Sequence, residues 1–144
     1  MAAGSPRILV VDDEPAIVEG LCEALELMGY QVQTAFNGQQ ALEAVDQVCP
    51  DLIVLDVLMP RMDGLQTLEI LRGKPATRDT PIILLTALGS DMDIIEGIKA
   101  GATMYLTKPA EISKVVSLIS AILGRRRALE GESAGSLHPV ASKR

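Results

Sequence analysis

The chain has 144 residues, 48% of them hydrophobic, and a formal net charge of −6. That length is a prior for one domain with a real core, and the apolar share excludes disorder along the whole chain. With no Trp, one Phe and two Tyr, the core must be aliphatic, and broad aromatic stacking on single-stranded nucleic acid is excluded.

Charge is unevenly placed. Residues 1–124 carry a net −9 and residues 125–144 a net +3. An acidic body does not attract DNA, so no nucleic-acid contact is expected of this domain itself. The basic end reads as a solvated tail or a contact to a partner. The opening MAAGSPR lacks the charged segment and apolar run of a signal peptide, and no apolar run approaches the ~20 residues of a membrane span. A cytoplasmic chain with no membrane partner is the expectation. Cys22 and Cys49 form no CxxC and sit among apolar neighbours, so two buried thiols in a reducing compartment are expected.

In chain order, "RILVV" (7–11) reads as a strand covered on both faces. Residues 15–28 then place Ile17, Val18, Leu21, Cys22, Leu25 and Met28 on one helical face, ended by Gly29. "YQVQTA" (30–35) alternates, as an edge strand does. Asn37 caps a helix running to about Val48, with Leu42 and Val45 inward. "DLIVL" (51–55) is a second continuous apolar strand. Leu65, Leu68 and Leu71 mark a third helix, stopped by Gly73 and Pro75. "PIILL" (81–85) follows, then a fourth helix on Ile94, Ile95 and Ile98, with Ser90 or Asp91 near its cap and Gly101 after it. "TMYLT" (103–107) is the fifth strand. Ile112, Val115, Val116, Ile119, Ile122 and Leu123 mark a fifth helix, expected to end at Gly124.

The order is (βα)5, which implies an α/β doubly wound parallel sheet with helices on both faces. The domain is expected over residues 6–124. Residues 125–144, small, polar and turn-rich, read as a flexible basic tail or the start of an interdomain linker.

Ligands of such sheets bind outside the carboxyl ends of the strands. The first strand ends in Asp12, Asp13 and Glu14, the third in Asp56, the fourth in Thr86, and the fifth in Thr107, Lys108 and Pro109. With the first and third strands adjacent, Asp12, Asp13 and Asp56 converge. Three carboxylates in one crevice repel each other, and a hard divalent cation such as Mg²⁺ relieves that repulsion. Lys108 then faces the cation across a gap that suits a phosphoryl group, with Thr86 able to bond a third oxygen. Asp56, otherwise an unexplained charge inside an apolar run, becomes the nucleophile, since carboxylates form aspartyl-phosphates. Taken singly, Asp13 reads equally as the cap of the next helix, Lys108 as a surface lysine and Thr86 as a turn residue. Their coincidence at one edge of one sheet favours a site.

The segments "ILVVDDEPAI", "LIVLDVLMPRMDG", "PIILLTA" and "YLTKP" together resemble the receiver domain of two-component response regulators, over about residues 6–124. The resemblance implies a flavodoxin-like fold with strand order 2-1-3-4-5. It implies Asp56 as phosphoacceptor, supplied by a sensor histidine kinase or phosphotransfer protein. It implies Mg²⁺ held by Asp13 and Asp56, by the backbone carbonyl of Leu58, and by Asp12 mostly through water. Thr86 corresponds to the switch hydroxyl, Tyr105 to the switch aromatic, and Lys108 to the phosphate-binding lysine, with a cis bond to Pro109. Pro60 and Gly64 match the loop after the phosphosite. Phosphorylation is then expected to alter a surface on the fourth helix, fifth strand and fifth helix. That surface serves a downstream effector or output domain, and the apolar width of the fifth helix permits a homodimer there. For Tyr105 the competing reading is a half-buried core aromatic.

Absent motifs narrow the chemistry. The one histidine, His138, lies in the tail, so no folded His serves a catalytic triad. No GxxxxGK[ST] occurs, and no GxGxxG follows the first strand. Asp56-Val57-Leu58 lacks the second Asp of haloacid-dehalogenase-type phosphatases. A turnover enzyme is therefore not expected, only self-phosphorylation and slow hydrolysis. Apolar Leu58 is expected to slow that hydrolysis. Two competing functions remain: a phosphorylation-independent interaction module on the same fold, and the receiver part of a longer DNA-binding or enzymatic regulator.

Overall fold

The computed structural model describes residues 4–59 and 62–134, with side chains described as far as Arg126. Pro60, His138 and the remainder of 135–144 lie outside the described residues. The elements alternate strictly: β1 (Arg7–Val11), α1 (Pro15–Leu27), β2 (Gln31–Ala35), α2 (Gly38–Gln47), β3 (Leu52–Leu55), α3 (Gly64–Gly73), β4 (Ile82–Thr86), α4 (Asp91–Lys99), β5 (Met104–Thr107) and α5 (Ile112–Ala134). The five strands form one parallel sheet in the order β2-β1-β3-β4-β5. The expected (βα)5 flavodoxin-like architecture and strand order are both found.

The continuous apolar runs follow from the sheet's two covered faces. Successive strand residues point to opposite faces. Leu9, Val11, Ile53, Leu55, Ile82 and Leu84 accordingly pack with Ala41, Val45, Leu68 and Leu71 from α2 and α3. Their alternates Ile8, Val10, Leu52, Val54, Ile83 and Leu85 pack with Val18, Leu21, Leu25, Val115, Ile119 and Leu123 from α1 and α5. The register sets Leu9 against Ile53 and Val11 against Leu55, so the ends of β1 and β3 lie level. β2 and β5, at the two edges, are only partly buried.

Caps fix where the helices begin. Asn37 Oδ1 accepts from Gln40 N at 2.8 Å, and Ser90 with Asp93 forms a reciprocal capping box. Asp63 caps α3 by accepting from Gln66 N. Gly29 and Gly101, at φ 92° and 115°, turn the chain after α1 and α4. Arg72 of α3 sends Nε to Gly101 O (2.9 Å) and Nη1 to the carbonyls of Thr77, Arg78 and Thr80, tying the α4–β5 turn to the loop that enters β4.

Two expectations are corrected. α5 does not end at Gly124 but continues to Ala134. Gly124 has helical surroundings without crowding, and the residues after it, Arg125-Arg126-Arg127-Ala128-Leu129-Glu130, are strong helix formers. A glycine commonly ends a helix by taking the left-handed conformation, and this one does not. The thiols are not both buried: Cys22 is half-buried and Cys49 exposed. Among the described residues, no helix is long and apolar enough to cross a membrane.

Candidate functional site at the carboxyl edge of the sheet

Asp12 and Asp56 follow the last residues of β1 and β3, and the backbone ladder carries one step into each. Asp12 N donates to Ala35 O at 3.1 Å, and Asp56 N donates to Val11 O at 3.0 Å. The two side chains are thereby held at the sheet's carboxyl edge, 2% and 3% exposed. Each carboxylate then accepts an amide two residues onward: Glu14 N to Asp12 Oδ1 at 3.0 Å and Leu58 N to Asp56 Oδ1 at 3.1 Å.

Lys108 arrives from β5, its backbone N donating to Thr86 O at 2.8 Å. Its Nζ lies 2.9 Å from Asp12 Oδ2, 2.7 Å from Glu14 Oε1 and 3.2 Å from Asp56 Oδ2. The buried acid in the apolar run therefore has an ammonium partner. One ammonium does not balance the cluster, however. Burial raises the Asp12 pKa, Lys108 and the Glu14 amide only partly offset this, and Asp56 adds repulsion. Burial alone would lower the Lys108 pKa, but Glu14, Asp12 and Asp56 outweigh it and hold the ammonium above its ordinary value.

Asp12, Asp13 and Asp56 each offer one oxygen, and these oxygens lie within 4.8 Å of one another. An all-oxygen, anionic donor set with surplus negative charge fits a hard divalent cation. Asp13 is exposed, which leaves one side of the cluster open to water.

Gly64 lets α3 approach this loop. A Cβ there would overlap Asp56 O and sit 2.6 Å from Val57 Cα, while Gly64 N donates to Val57 O at 3.0 Å. Thr86, at the end of β4, is wholly buried, and its Oγ1 accepts from Leu88 N at 3.4 Å. Tyr105, level with Leu84 in the β4–β5 ladder, packs on Gly97 of α4, where a Cβ would lie 2.8 Å from its ring. Its hydroxyl donates to Leu88 O. Burial raises its pKa, with Asp93, Asp56 and Glu96 adding to the rise. Thr86 and Tyr105 thus hold opposite sides of one residue, Leu88.

The structure gathers Asp12, Asp13, Asp56 and Lys108 into one cluster, puts Thr86 on the same edge, and links Tyr105 to it through Leu88. The Leu58 amide contacts Asp56, and its side chain is half-exposed. Sequence reasoning missed Glu14 as a partner of Lys108. The available signal was an acid at a helix N-cap position that is a poor capping residue.

The family model for the response regulator receiver domain matches residues 8–120. The DNA-binding dual master transcriptional regulator RpaA of Synechocystis is 42% identical over 120 residues, covering 83% of this chain and 50% of its own length. The chain spans about half the length of the curated relatives it matches. Among solved structures, a response regulator from Chloroflexus aurantiacus aligns with a TM-score of 0.78 at 37% identity, covering 83% of this chain and 98% of that one. The BeF3-activated DrrB receiver domain aligns with a TM-score of 0.76 at 29% identity, covering 83% and 98%. With the fold, the strand-end acids and these likenesses in agreement, the chain belongs to the response regulator receiver domain family of two-component signalling.

Proposed function

We propose that the chain is a phosphoacceptor switch in which Asp56 receives a phosphoryl group from a sensor histidine kinase or phosphotransfer protein in the cytoplasm. The observation that carries this reading is the buried Asp56 carboxylate, within reach of Lys108 and inside a three-acid cluster suited to a cation. A carboxylate oxygen of Asp56 attacks phosphorus. The new O–P bond forms as the P–N bond to the donor histidine breaks, and the leaving imidazole takes a proton from water. In this reading Lys108 Nζ neutralises a phosphoryl oxygen, and the buried Thr86 hydroxyl donates to another. Asp12, Asp13 and Asp56, with the Leu58 carbonyl, would hold Mg²⁺, which supplies charge neutralisation for the phosphoryl oxygens. Turnover of a separate substrate is not part of this reading.

The Leu88 link gives the switch a route outward. When the Thr86 hydroxyl turns to the phosphoryl group, it releases the Leu88 amide. The same residue's carbonyl anchors Tyr105, so both ends of the contact are free to rearrange. The affected surface comprises α4, β5 and α5, where Met92, Ile95, Ile98 and Met104 are exposed. A downstream effector, an output domain or a second copy docks there.

Incubation with acetyl phosphate and Mg²⁺, followed by intact mass, tests the reading. The wild type gains about 80 Da, the mass of one added HPO3, and Asp56→Asn gains nothing. An unmodified wild type favours the phosphorylation-independent module instead. A further reading rests on the relatives, which are transcriptional regulators about twice as long as the matched region. In it, the switch controls a DNA-binding output carried outside residues 8–120, as gel-shift affinity of the full reading frame with and without phosphorylation checks.

A further inference from the structure

Glu14 occupies the N-cap position of α1, yet its side chain makes no capping hydrogen bond. Asp, Asn, Ser or Thr at such a position accepts from the first-turn amides; a Glu side chain is ill suited to it. The backbone of Glu14 is nevertheless firmly held. Its N–H donates to Asp12, its carbonyl accepts from Ile17 N and Val18 N, and Pro15 follows at the first helical position. The carboxylate is presented away from the helix, and its Oε1 takes the shortest of the three contacts to Lys108 Nζ, at 2.7 Å.

An ammonium has three N–H donors. Glu14 and Asp56 each accept one of them, and Asp12 lies 2.9 Å away as a third ion-pair partner. A phosphoryl oxygen therefore meets Lys108 in competition with three carboxylates that already surround its ammonium. Asp12 and Asp56 belong to the three-acid cluster and are buried; Glu14 lies outside that cluster and is exposed. Glu14 is the partner that leaves at least cost, because its freed carboxylate is solvated at once.

We propose that Glu14 is a positioning residue that tethers Lys108 and competes with the phosphoryl group for it, so that this one side chain sets how tightly the Asp56 site holds a phosphoryl unit. The proposal rests on the phosphoacceptor reading above. Two effects of Glu14 have the same sign: it occupies one Lys108 donor, and it adds negative charge near an incoming anion. Removing its charge strengthens phosphoryl binding by about two- to five-fold, the range of a half-exposed ion pair.

The test measures the affinity of the full chain for beryllium trifluoride with Mg²⁺ by calorimetry, at low and high salt, in four proteins. Glu14→Gln removes the charge. Glu14→Asp keeps the charge, but its side chain is one methylene shorter, which draws the carboxylate back from Lys108 and suits it to cap α1 instead. The tether predicts that both variants bind more tightly than the wild type, with the difference shrinking at high salt as the ion pair is screened. Glu14→Asp also raises the melting temperature through its new cap, which shows that the variant is folded. If Glu14→Asp binds like the wild type while Glu14→Gln binds more tightly, net charge alone acts and the tether is overturned. Equal affinity in all three overturns it as well. The fourth protein, Asp56→Asn, separates the two levels of inference: wild-type binding that Asp56→Asn abolishes upholds the switch whatever Glu14 does. A wild type that does not bind overturns the switch and the tether together.

Discussion

Lys108→Met isolates the electrostatics on which the site depends. Methionine keeps most of the aliphatic stem and removes the ammonium. Asp12 and Asp56, 2% and 3% exposed, then keep only one backbone amide each, from Glu14 and Leu58. Breaking a buried ion pair by deleting one partner costs about 3–5 kcal/mol, since a buried charge is left uncompensated. The open side at Asp13 admits water, which places the expected loss near the lower end, about 3 kcal/mol at pH 7 in EDTA. The pH dependence has a definite sign. Burial already holds the folded-state pKa of Asp12 above the ordinary aspartate value, and removing Lys108 deletes two of the influences that lower it. A carboxylate with a raised folded pKa binds its proton more tightly folded than unfolded. Its contribution is therefore fully favourable below the unfolded value and is lost as pH rises through the folded one. The deficit of the variant should accordingly shrink between pH 7 and pH 5. Mg²⁺ should shrink it too, because a cation that binds only the folded state adds about 2.7 kcal/mol at one hundred times its Kd, and the variant offers it no competing ammonium. Urea unfolding at pH 5 and 7, with EDTA or Mg²⁺, measures all of this. A loss under about 1 kcal/mol at pH 7 in EDTA, or a deficit that does not change with pH, would show that solvent rather than Lys108 screens the acids.

Three further substitutions bear on the loop, the switch and the lifetime. Gly64→Ala forces a methyl into Asp56 O and Val57 Cα; overpacking of this kind costs about 1–3 kcal/mol, and phosphorylation by acetyl phosphate should slow because the displaced backbone carries Asp56, the proposed acceptor. Wild-type rates in Gly64→Ala would mean the loop relaxes freely. Tyr105→Ala removes the bond to Leu88 O and should leave beryllium trifluoride affinity nearly intact while reducing the accompanying amide shift changes along α4 and β5; undiminished shifts would assign Tyr105 to the core alone. Leu58→Asn places a polar group beside the Asp56 carboxylate and should speed autodephosphorylation severalfold, followed by loss of the phosphoprotein band over time. A slower loss would refute the shielding role of Leu58.

The fold was legible because its signals are local and repeated. Three runs of Ile, Val and Leu too continuous for a half-exposed sheet require cover on both faces, and the two cores built from alternate residues of β1, β3 and β4 are that cover. The acids and the lysine were legible for a related reason: strand ends are fixed by the hydrophobic pattern, and parallel strands bring all such ends to one edge. Contacts between loops were not legible. Glu14 reaches Lys108 across 94 positions of sequence, and Arg72 reaches Gly101 across 29, with neither partner marked by composition or period. The overrun of α5 past Gly124 shows a different limit. Glycine permits a turn without requiring one, and the sequence has no proline between Gly124 and Ala134 to enforce it. What the pattern leaves open in each case is which of several acceptable partners a flexible side chain takes. If the proposed tether holds, that choice carries functional weight, because an acid one position beyond a metal-suited pair can stay in solvent or occupy a donor of the lysine. On the proposed reading the carboxyl edge of the sheet is where the chemistry happens, and Glu14, placed there by an uncapped helix start, would bear on how readily Lys108 is released to it.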